Sequence, residues 1–200
     1  MGLFGSAANE RAVRTQMPNA DLLHIATHGL LDAQAPLHSA VALADGDVLT
    51  VYEMMGMRLR AQLAVLSACE TALGELTHGD DVLGLTRGML AAGAARVVVS
   101  LWPVNDTATA LLMTRFYERL LAGDEPARAL QAAQRWLYGL EAEAVGRELT
   151  RLQATLAEEG APAEALEMVA RARGLQYEAA PQALPAYAHP FYWAPFVVVG

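Results

Sequence analysis

Two short apolar runs in the first half of the chain have the pattern of buried strands. The first run, Leu22 to Ala26, ends in the triplet Thr27-His28-Gly29. The second run, Leu63 to Ser67, is followed closely by Cys69. Continuous apolar runs of this length are typical of strands covered on both faces. We therefore predict two strands with His28 and Cys69 just beyond their C-terminal ends, and a glycine turn after the first strand.

A hairpin and a short helix are predicted between these two strands. Val41 to Ala44 is a third apolar stretch, and Asp45-Gly46-Asp47 after it is a turn signal. Thr50 and Glu53 then have the spacing of a capping box, in which side chains and backbone amides pair reciprocally at the start of a helix. We expect a small hairpin that leads into this helix.

The stretch after Cys69 predicts a helix and another strand. Apolar residues recur at helical spacing from Asp80 to Ala95, and Arg96 to Leu101 is rich in β-branched residues. A strand, a helix and a strand in this order form a right-handed crossover unit. The fold class is therefore α/β.

The C-terminal half predicts mostly helices. Asp106 is placed to cap a helix that runs through Leu121, and Gly123-Asp124-Glu125-Pro126 separates it from a helix that ends near Tyr138. These two helices have the amphipathic spacing of packed helices.

A helical insertion and an edge strand are expected after them. The chain from Glu141 to Arg173 is rich in Ala, Glu, Leu and Arg, with one break at Gly160-Ala161-Pro162. We expect an insertion over about residues 141–180 of a single domain that spans residues 1–200. Phe196 to Val199 predicts the last strand, and Pro195 before it favours an edge position because proline donates no ladder hydrogen bond.

Composition narrows the classes of function. Charged residues make up 18% of the chain and keep every apolar run well short of the roughly 18 residues of a membrane span. The start of the chain has no secretory pattern, so we expect a soluble, cytoplasmic protein with no membrane partner. All basic residues are Arg, and the net charge is 14 − 22 = −8 without a basic cluster, so nucleic acid is not expected. The absence of Lys excludes a P-loop lysine and a lysine Schiff base.

Cys69 is the only cysteine and so forms neither an internal disulfide nor a multi-thiolate metal site. It is either a small buried hydrophobe or a reactive thiol, and an unpaired core cysteine is more often inert. The histidines and this cysteine do not have zinc spacing, so we expect no metal and no cofactor. His28 is the better candidate for a base, since His24 lies inside the predicted strand and is expected to be buried.

A thiol and an imidazole suit acyl transfer. A free thiol with pKa near 8.5 is only slightly ionised at neutral pH, and the thiolate is the nucleophile, so a neighbouring base is needed. His28 would accept the thiol proton of Cys69 and later donate a proton to the leaving amine. The backbone amides of Gly29 and Cys69 would form the oxyanion hole.

Six motifs in this order resemble those of the CHAT family. They are His24-Ile25-Ala26-Thr27-His28-Gly29, Leu66-Ser67-Ala68-Cys69-Glu70-Thr71-Ala72, Val82-Leu83-Gly84-Leu85, Ala91-Ala92-Gly93-Ala94, Ser100-Leu101-Trp102-Pro103-Val104, and His189-Pro190-Phe191-Tyr192-Trp193-Ala194-Pro195-Phe196. The resemblance runs from about Leu3 to Gly200 and is interrupted by the helical insertion.

The resemblance implies a caspase-like three-layer sandwich with a mostly parallel central sheet. It also implies a cysteine endopeptidase that acts on a protein substrate through a thioacyl-enzyme, with His28 as base and Cys69 as nucleophile. Such domains usually begin with one or two further strands, which we expect this chain to lack, either because the sheet is open at one side or because the sequence is a fragment. A tetratricopeptide-repeat partner, or a missing fused region, is a further expectation.

Four more residues are candidates for substrate binding. Asp80 and Asp81 would favour a basic side chain before the cleaved bond, although carboxylates at that position also stabilise a helix N-terminus. Trp102 and Asn105 follow the third strand and would line a groove, although core packing is the favoured interpretation for Trp102.

An interaction module is the alternative to a peptidase. Such a module, or a truncated remnant, would keep the fold and act through binding rather than turnover. Site-selective reactivity of Cys69 that depends on His28 would distinguish the two hypotheses.

Overall fold

The computed structural model describes residues 2–32, 34–70, 80–179 and 185–200, without the side chains of residues 68–70, 80–83, 164 and 175–179. The chain divides into two units. A sheet unit comprises Met1–Pro103 and Pro195–Gly200, and a helical unit comprises Val104–Ala194.

The sheet unit is built on six strands. They are β1 (Leu22–Leu30), β2 (Ala40–Ala42), β3 (Val48–Thr50), β4 (Leu63–Glu70), β5 (Val97–Ser100) and β6 (Phe196–Val199). Their order in the sheet is β3-β2-β1-β4-β5-β6. The predicted edge position of the last strand is confirmed, because β6 ends this order.

The parallel part of the sheet is its centre. β1 pairs with β4 and β4 pairs with β5 in parallel, whereas β2, β3 and β6 join through antiparallel pairings. The α/β class is confirmed, and the predicted parallel arrangement applies to the three central strands. Their C-terminal ends share one edge of the sheet.

Among the described residues, three α-helices accompany these strands. Helix α1 (Glu10–Gln16) is capped by Asn9, and α2 (Val51–Met55) begins with the predicted capping box of Thr50 and Glu53. Helix α3 (Asp80–Ala92) connects β4 with β5, as the apolar spacing predicts.

The core of this unit is a continuous cluster of buried apolar side chains. Strand residues of one sheet face pack with residues of α2 and α3, and burial of these side chains is the main stabilising contribution. Its members include Leu23, Ala64, Leu66, Val97, Val99, Met54, Leu85 and Met89.

The central strands are longer than their apolar runs. β1 continues to Leu30 and β4 to Glu70, so the predicted turn at Thr27-His28-Gly29 is wrong. The prediction that His28 and Cys69 lie just beyond their strands is wrong for the same reason, because both lie inside them. The two strands pair without interruption to Gly29↔Glu70. This pairing gives hydrogen-bond partners to the backbone groups of β1 that point toward β4, and the hydroxyl of Thr27 donates to the carbonyl of Ala42 at 2.8 Å.

The helical unit confirms the predicted order of helices. Its elements are α4 (Asp106–Leu121), α5 (Pro126–Tyr138), α6 (Ala142–Glu158), α7 (Ala163–Ala179) and α8 (Pro190–Trp193). α4 packs on α5, and α6 packs on α7 across the predicted break. The prediction that Asp106 caps α4 is wrong, because Asn105 is the cap and its side-chain oxygen accepts from the Ala108 amide at 2.9 Å. Treatment of residues 141–180 as an insertion within one domain stays a prediction.

Replacement of Ser100 by Ala is expected to stabilise the protein. Ser100 is 2% exposed, and its hydroxyl has no hydrogen-bond partner in the described part of the chain. Because a buried unpaired hydroxyl is costly, Ser100→Ala should raise the free energy of unfolding by about 1 kcal/mol in urea denaturation.

Ser39→Ala is the matched control. Ser39 is equally buried, but its hydroxyl accepts from the Asp32 amide at 2.9 Å. In this variant the free energy of unfolding should fall by about 1 kcal/mol, because the Asp32 amide is left without its hydrogen-bond partner. A loss of stability in both variants would contradict the prediction for Ser100.

Candidate functional site

The parallel pairing of β1 with β4 brings the two candidate catalytic residues to neighbouring positions. His28 is in register with Cys69, next to the pairs Thr27↔Ala68 and Gly29↔Glu70. Neighbouring strands lie about 4.8 Å apart, and paired positions of parallel strands share a face of the sheet. A histidine and a cysteine therefore occupy adjacent positions near the C-terminal ends of two central strands.

His28 lies on an open face of β1. Along this strand His24, Ala26 and His28 are exposed, whereas Leu23 and Gly29, on the opposite face, are buried. The imidazole of His28 is therefore accessible to a reacting molecule. The side chain of Cys69 lies outside the described part of the chain.

The prediction that His24 is buried is wrong. Its position shares the face of His28, and this face is exposed along β1. Part of the His24 side chain is in contact with water, but neighbouring protein atoms exclude water from the rest. This partial desolvation lowers the pKa of His24 below its ordinary value of 6.5 and favours the neutral imidazole. Four residues of strand place His24 about 13 Å from His28, so the two do not act on one atom.

Gly29 lies inside the sheet rather than in a turn. It is in register with Glu70 of β4 on one side and with Val41 of β2 on the other. Its amide therefore faces a neighbouring strand, which does not favour its use as an oxyanion donor.

Cys69 has a different backbone environment. The described pairing of β4 with β5 extends only to Leu66↔Val99, so no strand partner is described for Cys69 on that side.

The four candidate substrate-binding residues occupy different settings. Asp80 and Asp81 begin α3, and their side chains lie outside the described residues. Trp102 is half-buried and lies just after β5, at the edge where β1 and β4 also end. Asn105 belongs to the helical unit, where its side-chain oxygen is engaged in capping α4. An asparagine directly before an amphipathic run is a sequence signal for this capping role.

Two further classes of site are absent from the described residues. No group of three or more His, Cys, Asp or Glu side chains is arranged to hold a metal ion. None of the helices in this part of the chain has both the length and the apolar content needed to cross a bilayer.

Comparison with known proteins gives a family and two relatives. A family model described as "CHAT domain" matches residues 2–200. "Tetratricopeptide repeat protein 28" of Mus musculus is 39% identical over 88 residues, which are 44% of this chain and 4% of that protein. The Homo sapiens protein of the same name is 38% identical over 88 residues, with the same coverage. The matched region thus spans a small part of these relatives.

Proposed function

Because the chain belongs to the CHAT domain family, which is related to caspase-like peptidases, we propose that it is a cysteine endopeptidase acting on a protein substrate. His28 is the proposed base and Cys69 the proposed nucleophile. The observation that carries this proposal is the register His28↔Cys69 between two parallel central strands.

The proposed reaction is acyl transfer in two steps. His28 takes the proton of the Cys69 thiol, and the thiolate attacks the carbonyl carbon of the scissile peptide bond. The tetrahedral intermediate collapses to a thioacyl-enzyme when the carbon–nitrogen bond breaks and the imidazolium gives its proton to the leaving amine. His28 then removes a proton from water, hydroxide attacks the thioester, and the thiolate leaves and regains a proton.

In this mechanism, the carbonyl oxygen becomes negatively charged in the tetrahedral intermediate. Hydrogen-bond donors are needed to stabilise that charge. The amide of Cys69 is the first proposed donor, and no strand partner is described for Cys69 on the side of β5. Gly29 is the second proposed donor, and it would contribute only if its amide leaves the strand pairing.

The recognition of substrate is a separate part of the proposal. Asp80 and Asp81 begin α3, the helix that follows Cys69 in the chain, and their carboxylates would favour a basic side chain before the cleaved bond. Trp102 lies at the same edge and would form an apolar wall. Asn105 is the weakest candidate, because capping already uses its side-chain oxygen.

A partner and a compartment complete the proposal. The two relatives carry the name of a tetratricopeptide-repeat protein, which supports association of this domain with such repeats in the same or a separate chain. A catalytic thiol stays reduced in the cytoplasm, and we place the protein there.

Thiol labelling tests the proposal directly. Labelling of the full chain with an iodoacetamide probe is expected to stay fast below the ordinary thiol pKa of about 8.5, since a paired imidazole stabilises the thiolate. His28→Ala should slow labelling at pH 6.5 by about tenfold or more. Cys69 is the only thiol, so mass spectrometry reports one site.

His24→Ala is the matched control for this experiment. His24 is an exposed histidine on the same face of β1, and its distance from Cys69 along the strand predicts unchanged labelling. Slow labelling that does not respond to His28→Ala would contradict an assembled dyad.

An interaction module is the second candidate function. The observation that favours it is the name of the two relatives, which refers to tetratricopeptide repeats and not to a peptidase. In this case the fold would serve assembly, and Cys69 would show the reactivity of an ordinary thiol.

A further inference from the structure

A stripe of small side chains crosses the sheet on the face that carries the proposed dyad. Ala26 is in register with Ser67, two residues before the pair His28↔Cys69 on the same two strands. Positions two residues apart on a strand share a face of the sheet and are separated by about 6.6 Å. The stripe is therefore a direct neighbour of the register pair.

Ser100 of β5 extends the stripe to a third strand. The described pairing of β4 with β5 ends at Leu66↔Val99. Ser67 and Ser100 are the next residue of each strand, so they lie at neighbouring positions. Because Leu66 and Val99 pack into the core cluster, the residue after each of them points to the opposite face, which is the face of Ala26.

The two histidines of β1 flank a recess over Ala26 and Ser67. His24 and His28 share the face of Ala26 and lie about 13 Å apart, with the short alanine side chain between their imidazoles. Ala26 is exposed and Ser67 is half-buried, so the recess is open to water from the side of β1. A side chain of a bound molecule can therefore enter it.

The inner end of the stripe carries a hydroxyl without a partner. Ser100 is 2% exposed, and its Oγ has no hydrogen-bond partner in the described part of the chain. Buried polar side chains are rarely left unpaired, so this hydroxyl indicates a role beyond packing. Ser67 lies between Ser100 and the open recess. Its hydroxyl can donate to Oγ of Ser100 while its own oxygen accepts from a bound molecule.

The place of the recess determines which part of a substrate reaches it. In the proposed mechanism the Cys69 thiolate attacks the carbonyl carbon of the residue before the cleaved bond. The side chain of that residue begins beside Cys69, and a long stem can lie on Ala26 while its end reaches the Ser67 hydroxyl. Because the proton of this hydroxyl is given to Ser100, the end of the side chain must be an N–H donor.

The charge around the recess allows this donor to be a cation. Partial desolvation lowers the pKa of His24, so its imidazole is neutral at pH 7 and does not repel a guanidinium. A hydrogen bond from a charged donor is stronger than one from a neutral donor. Arginine combines an apolar stem with several N–H donors at its end.

We propose that Ser67 is a specificity-determining residue that accepts a hydrogen bond from an arginine side chain before the cleaved bond. Ser100 is the positioning residue that accepts from Ser67 and so orients its hydroxyl, and Ala26 leaves space for the arginine stem. This inference rests on the proposed peptidase function and names the residues that would recognise its substrate.

Labelling of Cys69 in the full chain with two peptide chloromethyl ketones tests the assignment. One probe is acetyl-glycyl-arginine chloromethyl ketone, and in the other an unbranched apolar norleucine replaces the arginine. The thiolate forms a carbon–sulfur bond at the methylene carbon and chloride leaves, so mass spectrometry gives both rates. The ratio of the arginine rate to the norleucine rate should fall about tenfold in Ser67→Ala, because a hydrogen bond from a charged donor is lost. It should fall about threefold in Ser100→Ala.

Two further variants act as controls. Thr27→Val removes a hydroxyl next to Ala26 but on the opposite face, where it donates to the Ala42 carbonyl, so the ratio should stay unchanged. Ala26→Leu fills the recess and should slow the arginine probe about tenfold. A probe with alanine before the ketone does not need the recess, and its rate should stay the same.

The outcomes separate recognition from the dyad. An unchanged ratio in Ser67→Ala, or an equal fall in Thr27→Val, would overturn the role of Ser67, and an unchanged ratio in Ser100→Ala would overturn that of Ser100. The ratio should persist in His28→Ala, because it depends on the recess and not on the base. If the ratio depends on Ser67 but iodoacetamide labelling does not respond to His28→Ala, the peptidase alone is overturned.

Discussion

Cys69→Ala is expected to abolish peptide cleavage by this chain. The thiolate forms the bond to the substrate carbonyl in the proposed mechanism, and alanine has no atom that can replace it. We expect kcat/KM to fall by roughly 10³-fold or more, and His28→Ala to cause a loss of similar size. Initial rates with fluorogenic peptides that carry Arg before the scissile bond provide the measurement.

The double variant tests whether the two residues act together. Residues that act as one unit give strongly non-additive losses, so Cys69→Ala combined with His28→Ala should be no slower than either single variant. His24→Ala, on the same face of β1, should keep its rate, and circular dichroism should show that all variants are folded. Full activity of Cys69→Ala would contradict the proposed nucleophile.

Gly93→Ala is expected to be strongly destabilising. Gly93 follows α3 with φ +115°, and a Cβ there would lie 2.4 Å from the carbonyl oxygen of Leu59. That backbone is held in place because the Leu59 amide donates to the Ala92 carbonyl at 2.7 Å. Backbone strain and this contact together should lower the free energy of unfolding by about 3 kcal/mol or more, measured by urea denaturation.

Gly84→Ala, in the same helix, is the matched control. Its Cβ would meet the Pro36 carbonyl oxygen at 3.7 Å, an ordinary contact, and the helix interior favours alanine over glycine. We expect the free energy of unfolding to stay the same or to rise by up to about 1 kcal/mol. Equal losses in both variants would show that α3 rejects any added methyl group, which would contradict the role assigned to the conformation of Gly93.

The errors in the sequence prediction have one physical source. The apolar run from Leu22 to Ala26 indicates a strand, but its end depends on how far a partner strand continues to pair. A continuous apolar run predicts a strand with both faces buried, and hence a buried His24. In the structure, only the face of β1 that carries Leu23 and Gly29 is buried. Neither the length of pairing nor the covered face is encoded within the run itself.

The wrong prediction of the α4 cap has a similar cause. Asn105 and Asp106 both have side chains suited to capping, and the sequence does not distinguish which of them precedes the first helical residue. The backbone of Asn105 is extended and that of Asp106 is helical, so the asparagine provides the cap.

The elements whose causes are local could be predicted from the sequence alone. Apolar run length, helical spacing, turn residues and the capping box of Thr50 and Glu53 act over a few neighbouring residues, and they predict the hairpin, α3 and the edge strand at Phe196–Val199. They also identify His28 and Cys69 as candidates near strand ends. The tertiary structure was needed to show that these two positions are in register and that one face of β1 is open. Each of these features depends on pairing or packing between segments far apart in the chain, and local patterns carry no information about which segments meet.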